Sequence, residues 1–85
     1  MINNNDIKNS NYGISLEGGA SNNVIESNSI ENTSDTGILI QEHTNNNGFR
    51  YNILLDNRNK DVDRLDHGTS SFLFVNNTIL SSPLN

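Results

Sequence analysis

Asn28-Ser29-Ile30-Glu31-Asn32, followed by Thr36-Gly37-Ile38-Leu39-Ile40, is the stretch on which the reading of this chain turns. Both halves recur. The motif Asn-x-Ile returns at Asn5-Asp6-Ile7 and Asn77-Thr78-Ile79, and Tyr51-Asn52-Ile53 fills the remaining place. So aligned, the isoleucines Ile7, Ile30, Ile53 and Ile79 are 23, 23 and 26 residues apart. Asn9 and Asn32 stand two residues beyond the first two. Tyr12-Gly13-Ile14-Ser15-Leu16 then matches Thr36-Gly37-Ile38-Leu39-Ile40, while Ile25 precedes Ile30 as Phe74 precedes Ile79. Landmarks that return in one order at a fixed period are the mark of a repeat architecture.

Within a period the spacing is that of strands. Ile14/Leu16 and Ile38/Ile40 alternate with period two, and each short run is bounded by Gly, Asn or Ser. No ten-residue stretch carries apolar residues at helical spacing, so helices are expected to be few. One period of about 23 residues holds three short strands and three turns, giving coils at about 3–25, 26–48, 49–73 and 74–85. Stacked coils place like strands in parallel at about 4.8 Å. The four isoleucines then form an internal column, and asparagines at the bends bond from coil to coil. Gly13 and Gly37 are expected where the chain turns tightly into a strand. The fold class is all-β: a parallel β-solenoid of three to four coils.

The composition fits such a design better than a globule. Only 32% of positions are hydrophobic, too few for one concentrated core. Disorder would bring high charge and proline, yet charged residues are 18% and Pro83 is the single proline. The polarity comes instead from 18 asparagines. A net charge of −5, with Arg58, Lys60 and Arg64 set among Asp56, Asp61, Asp63 and Asp66, argues against a nucleic-acid partner. No apolar run is long enough to span a membrane. The absence of cysteine excludes disulfides and thiol catalysis.

With Asn-x-Ile-x-Asn followed by Gly-Ile-x-(Leu/Ile), the chain resembles the right-handed parallel β-helix repeats of the pectin-lyase-like superfamily. Its strings, such as Asn22-Asn23-Val24-Ile25-Glu26-Ser27-Asn28-Ser29-Ile30, are closest in kind to the NosD and alginate-epimerase repeats. The resemblance covers residues 3–57 well and 70–82 less closely, and it is specific for fold. It implies a secreted, cell-surface or periplasmic protein. Three roles fit that family: a non-catalytic scaffold or carbohydrate-binding surface, part of a polysaccharide lyase or uronate epimerase, or a NosD-like accessory protein. The Asp-Pro-His signature of the epimerases is missing, because Asp66-His67 lacks the proline.

The third coil departs from the pattern. Between Ile53 and Phe74 the Gly-Ile-x-Leu motif is gone and about three residues are added. In their place lies the one charged concentration, from Asp56 to His67. As a projecting loop it offers Asp61, Asp63 and Asp66 as oxygen ligands for calcium. Arg64 or His67 would then serve as a base beside them. Its plainer reading is a solvated loop of mutually neutralising charges. His43, next to Glu42 at the start of the Asn45-Asn46-Asn47-Gly48 turn, is a further candidate base. It lies 24 residues from His67, about one period. Tyr12 and Tyr51 are aromatic surfaces on which a sugar ring could stack.

Terminal coils of a solenoid need polar caps. The chain opens at Met1-Ile2 and closes with Ser81-Ser82-Pro83-Leu84, and Phe72-Leu73-Phe74-Val75, its most apolar window, lies near that end. The expectation is a piece of a longer protein, or coils that associate end to end.

Overall fold

A computed structural model describes residues 1–66 and 68–80. Eleven strands follow one another with no helix among the described residues: β1 (Ile2–Asn3), β2 (Asp6–Lys8), β3 (Tyr12–Leu16), β4 (Val24–Glu26), β5 (Ser29–Glu31), β6 (Thr36–Ile40), β7 (Asn47–Arg50), β8 (Ile53–Leu55), β9 (Lys60–Arg64), β10 (Phe72–Val75) and β11 (Thr78–Leu80). Each strand from β1 to β8 pairs with the one three elements later, always in parallel. Three sheets result: β1-β4-β7-β10, β2-β5-β8-β11 and β3-β6-β9. The chain is a parallel β-solenoid of about three turns.

Inward-facing residues stack in columns. Ile2, Ile25, Phe49 and Phe74 form one, and Ile14, Ile38 and Val62 another. Ile25, Ile30, Ile38, Ile40, Phe49 and Leu54 are at most 1% exposed and make up the center of the core. Phe49 adds an edge-on contact with Phe72, ring centroids 6.0 Å apart, the favoured aromatic geometry.

The column built on Ile7 runs through Ile30, Leu54 and Ile79, so the expected placement of Ile53 is corrected. Leu54 is fully buried, whereas Ile53 is 45% exposed. The cause is the amide ladder beside the column. Asn5 donates its backbone N–H and Nδ2 to Oδ1 of Asn28, both at 3.0 Å. Asn28 does the same to Asn52, and Asn52 to Asn77. Each amide from Asn28 onward also donates to a carbonyl inside the core, those of Ile2, Ile25 and Phe49. Asn52 therefore holds the place of Asn28, and one residue's shift reverses which side chain faces inward. The ladder steps are 23, 24 and 25 residues. One residue enters between β5 and β6 and another between β9 and β10, both in turns.

The charged segment is corrected as well: its center is a strand. Lys60–Arg64 pairs along β6, with Val62 beside Ile38 and Arg64 beside Ile40. A single inward aliphatic suffices there, since β6 covers the strand and buried Asn57 supports it from below, accepting from Thr33 and donating to the Ile30 carbonyl. Gly13 and Gly37 lie within β3 and β6, and neither has a positive φ. Space is what they supply. A Cβ at Gly37 would lie 2.7 Å from the Asp61 carbonyl oxygen and 2.9 Å from Leu54 Cδ2.

Left-handed backbone recurs at the same corners. Asn4, Ser27, Tyr51 and Asn76 occupy the bend before each ladder asparagine, and Asn9, Asn32 and Asp56 the next bend. Asparagine and aspartate tolerate this conformation at low cost.

Candidate functional site

The outer face of the first sheet carries an open recess. Val24, Gly48 and Leu73 lie side by side on β4, β7 and β10, and Glu26, Arg50 and Val75 form the neighbouring row. Gly48, without a side chain, leaves a gap between two apolar neighbours. The gap is the floor of an open groove of about 610 Å³, rimmed by Asn22, Asn46, Ser71 and Arg50. Leu73 is 68% exposed along one wall. Arg50 is held by Glu26, Nε to Oε2 at 2.9 Å. Tyr51 follows at the left-handed corner, largely exposed. The face thus combines apolar floor and walls, amide and hydroxyl edges, and one fixed guanidinium.

The charged candidates lie elsewhere and are separately committed. Arg64 donates to Asp66 through Nε at 3.0 Å and Nη2 at 2.7 Å, and its guanidinium lies 4.7 Å from the center of the Phe72 ring. Asp66 is buried and also accepts the Ser70 N–H. The Arg64 hydrogen bonds hold its carboxyl down at about 2, against the opposing effect of burial. This is a latch that closes the turn into β10. Asp61 accepts from Asn57 Nδ2, and Asp63 pairs with Lys60 at 3.5 Å. A calcium ion bound by Asp61, Asp63 and Asp66 would compete with these bonds, most of all at Asp66, both of whose oxygens are engaged by Arg64. Among the described residues, no three His, Asp or Glu side chains converge to hold a metal ion.

His43 sits in the turn after β6 with positive φ, its N–H donating to Thr69 Oγ1. His67 and the closing Ser81-Ser82-Pro83-Leu84 lie outside the described residues. Tyr12 donates through its hydroxyl to Asp35 at 3.2 Å. That carboxylate raises the Tyr12 pKa, while bonds from Asn59 and Thr36 lower that of Asp35. Together these groups tie the three coils along the outside of the third sheet.

Sequence reasoning missed the groove. Asn45-Asn46-Asn47-Gly48 reads as a turn, but Asn47 and Gly48 already belong to β7. The available signal was the 24-residue step from Val24 to Gly48, visible only with the third coil in its true register.

A family model for the right-handed β-helix region matches residues 1–83. The chain belongs to that family. Its solenoid is accordingly right-handed, the sense that parallel crossovers take almost without exception. No curated protein and no solved structure matches the chain significantly.

Proposed function

We propose that this β-helix is a non-catalytic scaffold of an extracellular or cell-surface protein and that the first-sheet groove binds carbohydrate. The groove over Gly48 carries this reading. A sugar ring has an apolar face and a hydroxyl edge. Val24, Gly48 and Leu73 suit the face, and the Asn22, Asn46 and Ser71 side chains suit the edge. Commitment of Arg64, Asp61, Asp63 and Asp66 to bonds within the fold favours a scaffold over catalysis.

Calorimetric titration with neutral and uronate oligosaccharides tests the reading. A Cβ at Gly48 meets nothing within 4 Å, so a side chain can start there, and Gly48→Phe sets a ring over the floor. Saccharide binding by the unaltered chain and its loss in Gly48→Phe are expected. If neither saccharide class binds, or the variant binds equally well, the groove is not a glycan site.

A further inference from the structure

We infer that Asn47-Gly48 is a latent deamidation site, kept intact by the fold and able to break the first sheet once converted. It is the only Asn-Gly pair in the chain. The chemistry needs no partner beyond water. The Gly48 amide nitrogen, losing its proton, attacks Cγ of Asn47. A nitrogen–carbon bond forms, the Cγ–Nδ2 bond breaks, and ammonia leaves behind a succinimide. Water then opens the ring to aspartate or isoaspartate, with no oxidation or reduction. Glycine favours the attack because no side chain hinders its nitrogen.

The fold blocks each requirement. Asn47 is buried, 2% exposed, which keeps water from its amide. Nδ2 donates to the Ala20 carbonyl at 3.1 Å, and Oδ1 accepts both the N–H and Nδ2 of Asn23 at 3.0 Å. The attacking nitrogen is also engaged, since Gly48 N–H donates to the Asn23 carbonyl at 2.9 Å. Reaction therefore requires β7 to open from β4 first, and its rate scales with the open population.

Conversion would not be silent. Aspartate at position 47 sets a carboxylate oxygen against the Ala20 carbonyl where a donor stood, and buries a charge that only the two Asn23 bonds offset. Isoaspartate also adds a methylene to the main chain, which breaks register with β4. Either product hinders reclosure, so a transient opening becomes permanent. The pair lines the groove, but the inference does not depend on what the groove binds.

The test incubates the full chain in mildly alkaline buffer, native and in urea, with peptide mass spectrometry over time. In urea Asn47 is expected to convert ahead of the other 17 asparagines. In the native arm its conversion should be at least about tenfold slower, the factor that an opening cost of about 1.4 kcal/mol gives. Gly48→Ala, which the open space at Gly48 accommodates, should slow the reaction in urea while folding normally. Equal rates in the two arms, or preferential conversion elsewhere in urea, would overturn the inference. So would an Asn47→Asp variant with an unchanged denaturation midpoint; a lowered midpoint or failure to fold is the expected result.

Discussion

The second and third coils follow the same path with different materials. Thr36–Ile40 of the second is buried along its whole length, whereas Lys60–Arg64 of the third contributes one aliphatic and four charged side chains. Both lie in register all the same. The third coil retains Val62 in its column and Asn57 and Asn52 in the ladders. Arg64, where Leu16 and Ile40 stand in the earlier coils, is folded against Asp66 and Phe72. Among the described residues no buried side-chain nitrogen or oxygen lacks a partner. The comparison teaches that satisfied amides and a few columns fix a coil, and that its apolar content can be diluted around them.

The most severe way to break that equivalence is to remove the shared amide. Asn52→Ala removes the partner of the Asn28 N–H, one of the two bonds of Asn28 Nδ2, and the amide that donates to the Ile25 carbonyl. With several buried groups unpaired, the loss should be about 4 kcal/mol, read from the urea midpoint. A loss below about 1 kcal/mol would mean that the column, not the ladder, sets the third coil.

A smaller effect separates neighbours. Leu54→Ala opens a cavity in the core of the third coil and should cost about 3 kcal/mol. Ile53→Ser, on the exposed face, should stay within about 0.5 kcal/mol. The reverse ranking would restore Ile53 to the column.

That pair also marks how far the sequence was legible. Strand period, parallel stacking and coil-to-coil asparagines could be read because Asn5-Asp6-Ile7 and Asn28-Ser29-Ile30 repeat cleanly. The third coil misled because two isoleucine-like residues adjoin, and only the bonds of Asn52 decide between Ile53 and Leu54. Lys-Asp-Val-Asp-Arg hid a strand for a related reason: its neighbour β6 supplies the burial that its own residues do not advertise. The groove depended on that same register, since its floor is an absent side chain at Gly48.

The finest comparison is among equivalent corners. Asn4, Ser27, Tyr51 and Asn76 share a left-handed backbone, and Tyr51 has φ of 58° there. A bulky L-residue pays about 1–2 kcal/mol for that conformation, a cost that asparagine largely avoids. Tyr51 is 58% exposed, and the backbone bond from its N–H to the Asn76 carbonyl survives any substitution except proline. Tyr51→Asn should therefore raise stability by about 1 kcal/mol, seen as a higher urea midpoint with unchanged slope. Tyr51 does not line the groove but follows Arg50, which does, and strain retained at an exposed aromatic is expected where the ring has work to do. On the glycan reading the same variant should bind saccharide more weakly while folding more stably. A gain in stability with binding intact would leave the groove to Val24, Gly48 and Leu73 alone, and no gain at all would show that the ring's own packing offsets the strain.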